Sequence, residues 1–306
     1  MPQTIGVVVI TYNRLALLKE CIASLRGQTL KPDAIIVVNN ASTDGTGAWL
    51  DEQPDLQVIH QGNVGGAGGF DTGIRAAYEK GYDYIWAMDD DVEANQDCLE
   101  NLMRVFNDPG LPYDVLQTDR FWDAEQTKRW RYGTGFNFTN PFRPLGVGKG
   151  IGATDDPSAK AFPICSFPFE GPIFKREVIE KIGGVEKNFF IIHDDTDYSV
   201  RVIQNGFRIA VVPDAILFKK IIPSPRGGMK LDFKLYYIIR NNILLDRKYG
   251  GDFFAFIRNV RVSTRYALVF LKQIIIDRRV KDYKAFPVIL KGFTDGFTYK
   301  NQRFIK

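Results

Sequence analysis

The chain is 306 residues long, 45% hydrophobic and 25% charged, which places it among folded globular proteins and excludes a disordered or low-complexity polypeptide. Its formal charge of +4 conceals an asymmetry: residues 219–306 hold 20 Lys and Arg against 6 Asp and Glu, a surplus of 14, which leaves residues 1–218 at −10. Three scattered cysteines, Cys21, Cys98 and Cys165, form no CxxC pair, which argues against a disulfide framework or a zinc site and fits a reducing compartment.

In chain order, residues 5–10 have the continuous apolar character of a buried strand. They lack the basic flank and long apolar core of a signal peptide, and no run of ~18 apolar residues occurs to span a membrane. Thr11-Tyr12-Asn13-Arg14 follows as a turn, and residues 15–25 show helical spacing of Leu17, Leu18, Cys21, Ile22 and Leu25. A second buried strand, 34–38, runs into Asn39-Asn40-Ala41-Ser42-Thr43-Asp44-Gly45-Thr46. A third, 56–60, precedes a glycine-rich loop from Gly62 to Phe70, and a helix is expected over 71–80.

Residues 82–88 form an aromatic-rich strand that breaks into Asp89-Asp90-Asp91. In extended chain Asp89 and Asp91 point one way and Asp90 the other. Two anions at the mouth of a buried strand repel unless a cation lies between them, and a hard divalent ion is the natural candidate. The alternative is a solvated turn capping a helix at 95–106. Residues 111–169 are expected to be long loops and short strands, with Trp122 and Trp130 available to stack on sugar faces or to fill core. Glu170-Gly171-Pro172 opens a helix at 175–182. His193-Asp194-Asp195-Thr196-Asp197 then begins a helix at 198–205; capping explains one or two of those acids but hardly all three. Strands at 207–212 and 215–218 complete an α/β, doubly wound, mostly parallel sheet flanked by helices, in which ligands gather at the carboxyl ends of the strands. Beyond it, helices at 235–245 and 255–276 interleave apolar residues with Arg258, Arg261, Arg265, Lys272, Arg278 and Arg279, which suits a membrane surface, a packed helix or a dimer contact. The basic surplus lies in an apolar tail without a nucleic-acid-binding module, so no nucleic-acid partner is expected.

Taken in order, the Thr11–Arg14, Asn39–Thr46, Asn63–Phe70, Asp89–Asp91 and Asp194–Asp197 motifs, with Arg201, resemble the inverting nucleotide-sugar glycosyltransferases of family 2, which have the GT-A fold. The glycine run with Trp86 and the Asp triplet looks most like the galactofuranosyltransferase subgroup. The resemblance covers about residues 5–218 and implies two parts: a GT-A catalytic domain, 1–218, and a basic helical region, 219–306. It implies a nucleotide-sugar donor (UDP-galactofuranose favoured, dTDP-rhamnose the alternative), a glycan or lipid-linked acceptor in cell-envelope polysaccharide synthesis, and Mn2+ or Mg2+. It implies a cytoplasmic enzyme peripheral on the inner face of the cell membrane, and a homodimer is possible. A nucleotide-binding protein that has lost catalysis is the reading from another class.

By position, Thr11, Asn13 and Arg14 would lie at the uridine and phosphates, and Asn39 at the base. Asp44, Asn63, Gly65 and Gly66 would admit the nucleotide-sugar closely, and Asp90 would flank it. Asp89 and Asp91 match the metal-binding pair, with Asp91 the direct ligand. Asp195 matches the catalytic base and Asp194 its acidic neighbour, with His193, Trp122, Trp130 and Glu170 on the acceptor side. Relatives often have a metal-binding histidine where this chain has Lys219. A protonated lysine does not ligate a metal, so Lys219 is expected to meet the diphosphate as a fixed charge and to weaken the dependence on metal.

Overall fold

The computed structural model describes residues 3–122, 128–143, 145–147, 159–221 and 232–298. The parts of the expected loop region at 123–127, 144 and 148–158 lie outside the described residues. The chain divides into two units, one of residues 1–135, 148–190 and 194–222, the other of residues 136–147, 191–193 and 223–306.

In chain order the elements are β1 (Ile5–Thr11), α1 (Leu15–Arg26), β2 (Ala34–Asn40), α2 (Thr46–Asp51), β3 (Leu56–Gln61), α3 (Gly65–Glu79), β4 (Tyr84–Asp89), β5 (Val92–Ala94) and α4 (Cys98–Phe106). They continue with β6 (Val115–Phe121), β7 (Gly135–Phe136), β8 (Gly146–Val147), β9 (Phe162–Ile164), β10 (Pro172–Lys175), α5 (Arg176–Ile182), α6 (Asp194–Gln204) and β11 (Ile209–Lys219). Three helices follow: α7 (Lys234–Gly250), α8 (Asp252–Ile275) and α9 (Ala285–Thr298).

The first unit is built on a sheet in the order β3-β2-β1-β4-β10-β6-β11-β5, with β9 also on β11. The ladders β3-β2, β2-β1, β1-β4 and β6-β11 are parallel, whereas β10 runs antiparallel to both β4 and β6. Alternation along β1 assigns its two faces. Val7 and Val9 pack with Leu18, Ile22 and Leu25 of α1. On the other face a Cβ at Gly73 of α3 would fall 2.3 Å from Val8 and one at Gly69 would fall 2.6 Å from Ile10, so glycine lets α3 lie close against the sheet. Helices on both faces leave the strand ends as the open rim of the fold.

Three expectations differ from the structure. The glycine-rich segment is the first two turns of α3, not a loop: Gly68, Gly69 and Gly73 serve close packing, and only the entry residue Gly65 takes a positive φ, 76°. Residues 115–121, within the region expected to hold long loops and short strands over the mouth of the site, form a fully buried seven-residue strand at the centre of the sheet, β6. Its Gln117, Thr118, Asp119 and Arg120 hide the apolar signature, and each is partnered: Gln117 Nε2 donates to Glu170 O at 2.8 Å, and Arg129 Nε to Asp119 Oδ1 at 2.8 Å. The helix expected at 198–205 starts earlier, at Asp194, so all three acids lie in its first turn.

In the second unit, α7, α8 and α9 share a core of Leu235, Ile239, Ile243, Phe270, Ala285 and Ile289. Arg258, one of the basic residues interleaved along the helix expected at 255–276, is buried. Its Nη1 donates to Asp246 Oδ1 at 2.7 Å, and Asn259 Nδ2 donates to Asp246 Oδ2 at 2.8 Å. Burial pushes the Asp246 carboxyl up to about 6 against the pull of Arg258.

Gly65 is the backbone test of this architecture, because an added Cβ would lie 2.1 Å from Phe190 O at a φ that L-residues avoid. Gly65→Ala should lower unfolding stability by about 2–4 kcal/mol, combining backbone strain with the clash, as measured by urea denaturation.

Candidate functional site

The site is assembled where β1, β4, β6, β10 and β11 end. Thr11 closes β1 and is buried, and its Oγ1 donates to Asp90 Oδ2 at 2.8 Å. Arg14 Nη1 lies 3.1 Å from Asp90 Oδ1 and 3.3 Å from Asp91 Oδ2. From the end of β11, Lys219 Nζ reaches Asp91 Oδ1 at 2.5 Å, Glu170 Oε1 at 2.9 Å and Asp89 Oδ2 at 3.8 Å. Glu170 is fixed by its neighbours, since Trp86 Nε1 donates to Gly171 O at 3.0 Å and Gly171 N donates to Ala87 O at 2.9 Å. Its second carboxylate oxygen pairs with Arg120 of β6. Anions and cations therefore alternate from Asp90 to Arg120.

Arg120 is the functional candidate that sequence reasoning missed. It is buried, its guanidinium stacks 4.3 Å from the Trp130 ring, and its Nε has no hydrogen-bond partner among the described residues. Burial draws Arg120 below its usual value, opposed by Tyr132 and by the carboxylates of Asp195, Asp89 and Asp91. One cation thus lies in the field of both acidic clusters. The signal for it in sequence was the polar run Gln117-Thr118-Asp119-Arg120 bounded by apolar residues, which marks a buried strand that must satisfy its own charges.

Burial also pushes the Asp89 carboxyl up, opposed by Lys219 and reinforced by Asp91 and Asp90; Asp90 rises for the same reason, opposed by Arg14. Asp194 is buried in the first turn of α6 and, beside Asp195, is pushed up to about 7. Asp195 Oδ1 accepts from Thr196 N at 2.6 Å. Asp197 has a structural partner: Arg201 Nε donates to its Oδ2 at 3.0 Å and the same guanidinium donates to Ile182 O and Gly184 O. Phe190 O accepts from Ala67 N at 3.1 Å, which ties the start of α3 to the approach of α6.

The nucleotide-side candidates of the first two loops brace one another. Asn13, at φ 53°, accepts from Thr43 N at 2.6 Å. Asp44 Oδ2 accepts from Leu15 N at 3.0 Å and Oδ1 from Thr46 Oγ1 at 2.6 Å, so one carboxylate holds the starts of α1 and α2. Although its slight burial raises it, those hydrogen bonds hold Asp44 below the usual carboxylate range. Asn39 is buried, its Nδ2 3.1 Å from His60 Nδ1 and its Oδ1 accepting from Ser42 N at 3.0 Å. Asn63 Oδ1 accepts from Gly65 N at 3.0 Å, and beside it Gly66 faces open space. Trp122 and Trp130 lie together, ring centroids 5.6 Å apart. His193, at φ 69°, falls in the second unit.

Asp89 and Asp91 offer the hard oxygens that Mg2+ and Mn2+ take, but among the described residues no three His, Cys, Asp or Glu side chains form a protein-only cage. That donor set fits an ion whose remaining ligands come from phosphate or water.

The mixed sheet with helices on both faces has the GT-A fold of solved glycosyltransferases. Residues 6–182 match the model of glycosyl transferase family 2, and the chain belongs to that family. It is similar to galactofuranosyltransferase GlfT1 of Mycolicibacterium smegmatis, with 26% identity over 67% of each chain. It is also similar to the O-antigen chain rhamnosyltransferase WbaN of Salmonella anatum, with 23% identity over 80% of this chain and 75% of that one. Among solved structures, the mannosyltransferase PcManGT from Pyrobaculum calidifontis, in complex with GDP-Man and Mn2+, superposes with a TM-score of 0.53 at 15% identity, over 98% of this chain and 88% of that chain.

The raised Asp194 carboxyl sets a pH dependence. Its folded value of about 7 lies above the ordinary 3.8, so its burial costs nothing below pH 4 and the full amount above pH 7. Asp194→Asn should therefore gain on the wild type by ~1–3 kcal/mol between pH 4 and pH 8 in urea unfolding, with the gain appearing as pH rises.

Proposed function

We propose that the chain transfers a sugar from a nucleoside diphosphate donor to an acceptor hydroxyl with inversion, and that galactofuranose is the favoured sugar. The observation that supports this is the position of Arg120: its guanidinium pairs with Glu170, which also holds Lys219 beside Asp91, and Asp195, Asp89 and Asp91 all act on its charge. Asp195 takes the proton of the acceptor hydroxyl as that oxygen attacks the anomeric carbon, and the nucleoside diphosphate leaves from the opposite side. Asp194, its buried neighbour, orients the first turn of α6. Thr11, Arg14, Asn63, Gly65 and Gly66 line the donor phosphates, and the bracing of Asn13, Asn39 and Asp44 shapes the wall beside the base. Asp89 and Asp91 would hold Mn2+ or Mg2+, which supplies charge compensation to the leaving diphosphate. Trp122, Trp130 and Glu170 form the sugar-facing wall.

GlfT1 supports galactofuranose, and WbaN keeps rhamnose as the second reading. A panel of UDP-galactofuranose, dTDP-rhamnose and GDP-mannose separates them, with turnover expected for the first; a wild type that consumes no donor rejects the enzyme reading. Asp195→Asn should retain UDP binding and lose about 10²–10⁴-fold in kcat. Loss of UDP binding together with turnover would remove Asp195 from the role of base.

The second unit supports a peripheral position on the inner face of the cell membrane, acting on a lipid-linked or glycan acceptor of the envelope. Leu268, Leu271, Ile275, Ile276 and Val280 are exposed, 42–66% each, beside the exposed Arg265, Lys272, Arg278 and Lys281. No helix among the described residues is long and apolar enough to cross a membrane. Apolar insertion backed by anionic attraction suits a surface-lying helix. The protein should co-sediment with phosphatidylglycerol vesicles but not with phosphatidylcholine ones, and Leu271→Asp with Ile275→Asp should abolish binding. If the pair instead converts a dimer to a monomer in light scattering without changing sedimentation, the face is a contact between copies.

A further inference from the structure

Both oxygens of Asp91 are occupied by the protein's own cations. Oδ1 is held by Lys219 Nζ at 2.5 Å and Oδ2 faces Arg14 Nη1 at 3.3 Å, with the side chain of Asp91 3% exposed. Lys219 also touches Glu170 at 2.9 Å and Asp89 at 3.8 Å, so the ammonium lies amid three carboxylates. Across the cluster, Asp89, Asp90, Asp91 and Glu170 face Arg14, Arg120 and Lys219, four anions against three cations. A divalent ion entering this arrangement meets a nearly neutral site and a lysine on the oxygen it needs. Neighbouring Lys220 is held by Glu20 and Glu93 and does not take part.

We propose that Lys219 is a counter-ion latch: it closes Asp91 to a free divalent cation, and a nucleoside diphosphate opens it by drawing the ammonium from Asp91 onto a phosphate oxygen. The phosphate supplies two things together, negative charge to hold the lysine and oxygen ligands to complete the ion's shell. Asp91 is released as the ion arrives, so ion and nucleotide enter as one unit. Tethered at the end of β11 beside Val92, Lys219 moves only by its flexible side chain while the strand stays paired.

The proposal rests on the nucleotide-sugar reading. Its test is Mn2+ binding to the full-length protein, followed by water-proton relaxation enhancement, which separates protein-bound Mn2+ from Mn2+–UDP in solution. UDP binding is measured in parallel by calorimetry in EDTA. The wild type should take up Mn2+ at least tenfold more tightly with UDP than without it. Lys219→Met should bind Mn2+ without UDP at least tenfold more tightly than the wild type does, and Lys219→Arg, which keeps the charge, should still refuse it. Equal Mn2+ affinity of the wild type with and without UDP would overturn the latch, as would a Lys219→Met protein that folds, by its circular dichroism, and refuses Mn2+ alone. If UDP binds the wild type while Mn2+ ignores it, the latch fails and the nucleotide reading stands; if UDP does not bind with or without metal, both fail.

Discussion

The arrangement on which the rest of the structure depends is the ionic chain at the sheet's rim, from Thr11 and Asp90 through Arg14, Asp91 and Lys219 to Glu170 and Arg120. Carboxylates withdrawn from water are tolerated only when each has a cation or a donor within reach. Here the members come from five strand ends, and the directly paired Asp91 and Lys219 lie 128 residues apart, so no local segment can satisfy them. The sheet order brings them together: inserting β10 between β4 and β6 delivers Glu170, and the parallel pairing of β11 on β6 delivers Lys219. Removing a cation from such a chain leaves an uncompensated buried charge, which is more costly than losing a surface pair.

Polar residues around this rim fall into two kinds, separated by whether their ionisation is displaced. Asp44 and Asn13 accept from backbone amides of each other's loops, and Asp197 from an arginine one helical turn away, and these bonds account for the shape of the loops. Asp89, Asp194 and Arg120 are pushed away from their ordinary ionisation by burial, a state that packing alone does not favour.

Much of this was legible in sequence where one physical signal dominated. The apolar runs of β1, β2 and β4 and the motifs at their ends revealed the α/β class, because parallel strands are apolar on both faces and end in functional loops. The Asp triplet stood out because three carboxylates after a buried strand call for compensation. Strand β6 did not stand out, since its buried Gln117, Thr118, Asp119 and Arg120 imitate a loop until Glu170 and Arg129 are known to lie opposite. For the same reason Arg120 and the burial of Arg258 escaped notice: an arginine looks solvated in sequence, and only tertiary structure reveals an Asp246 waiting for it. The glycines of α3 looked like a flexible loop because propensity favours one, yet their use is the close approach of helix to sheet.

The insertion of β10 also bears on the order in which the protein can assemble. The first four parallel strands can pair among themselves from residues 5–89, with sequence-near crossovers, but the central sheet is discontinuous until residues 172–175 thread between β4 and β6, and the rim gains its last cation only when β11 docks. During synthesis, then, the acidic triplet emerges with Arg14 as its one cation in the ionic chain, and a single positive charge faces three carboxylates while well over a hundred further residues are made. Completion of the ionic chain and completion of the sheet are one event, placed late in the synthesis of the first unit.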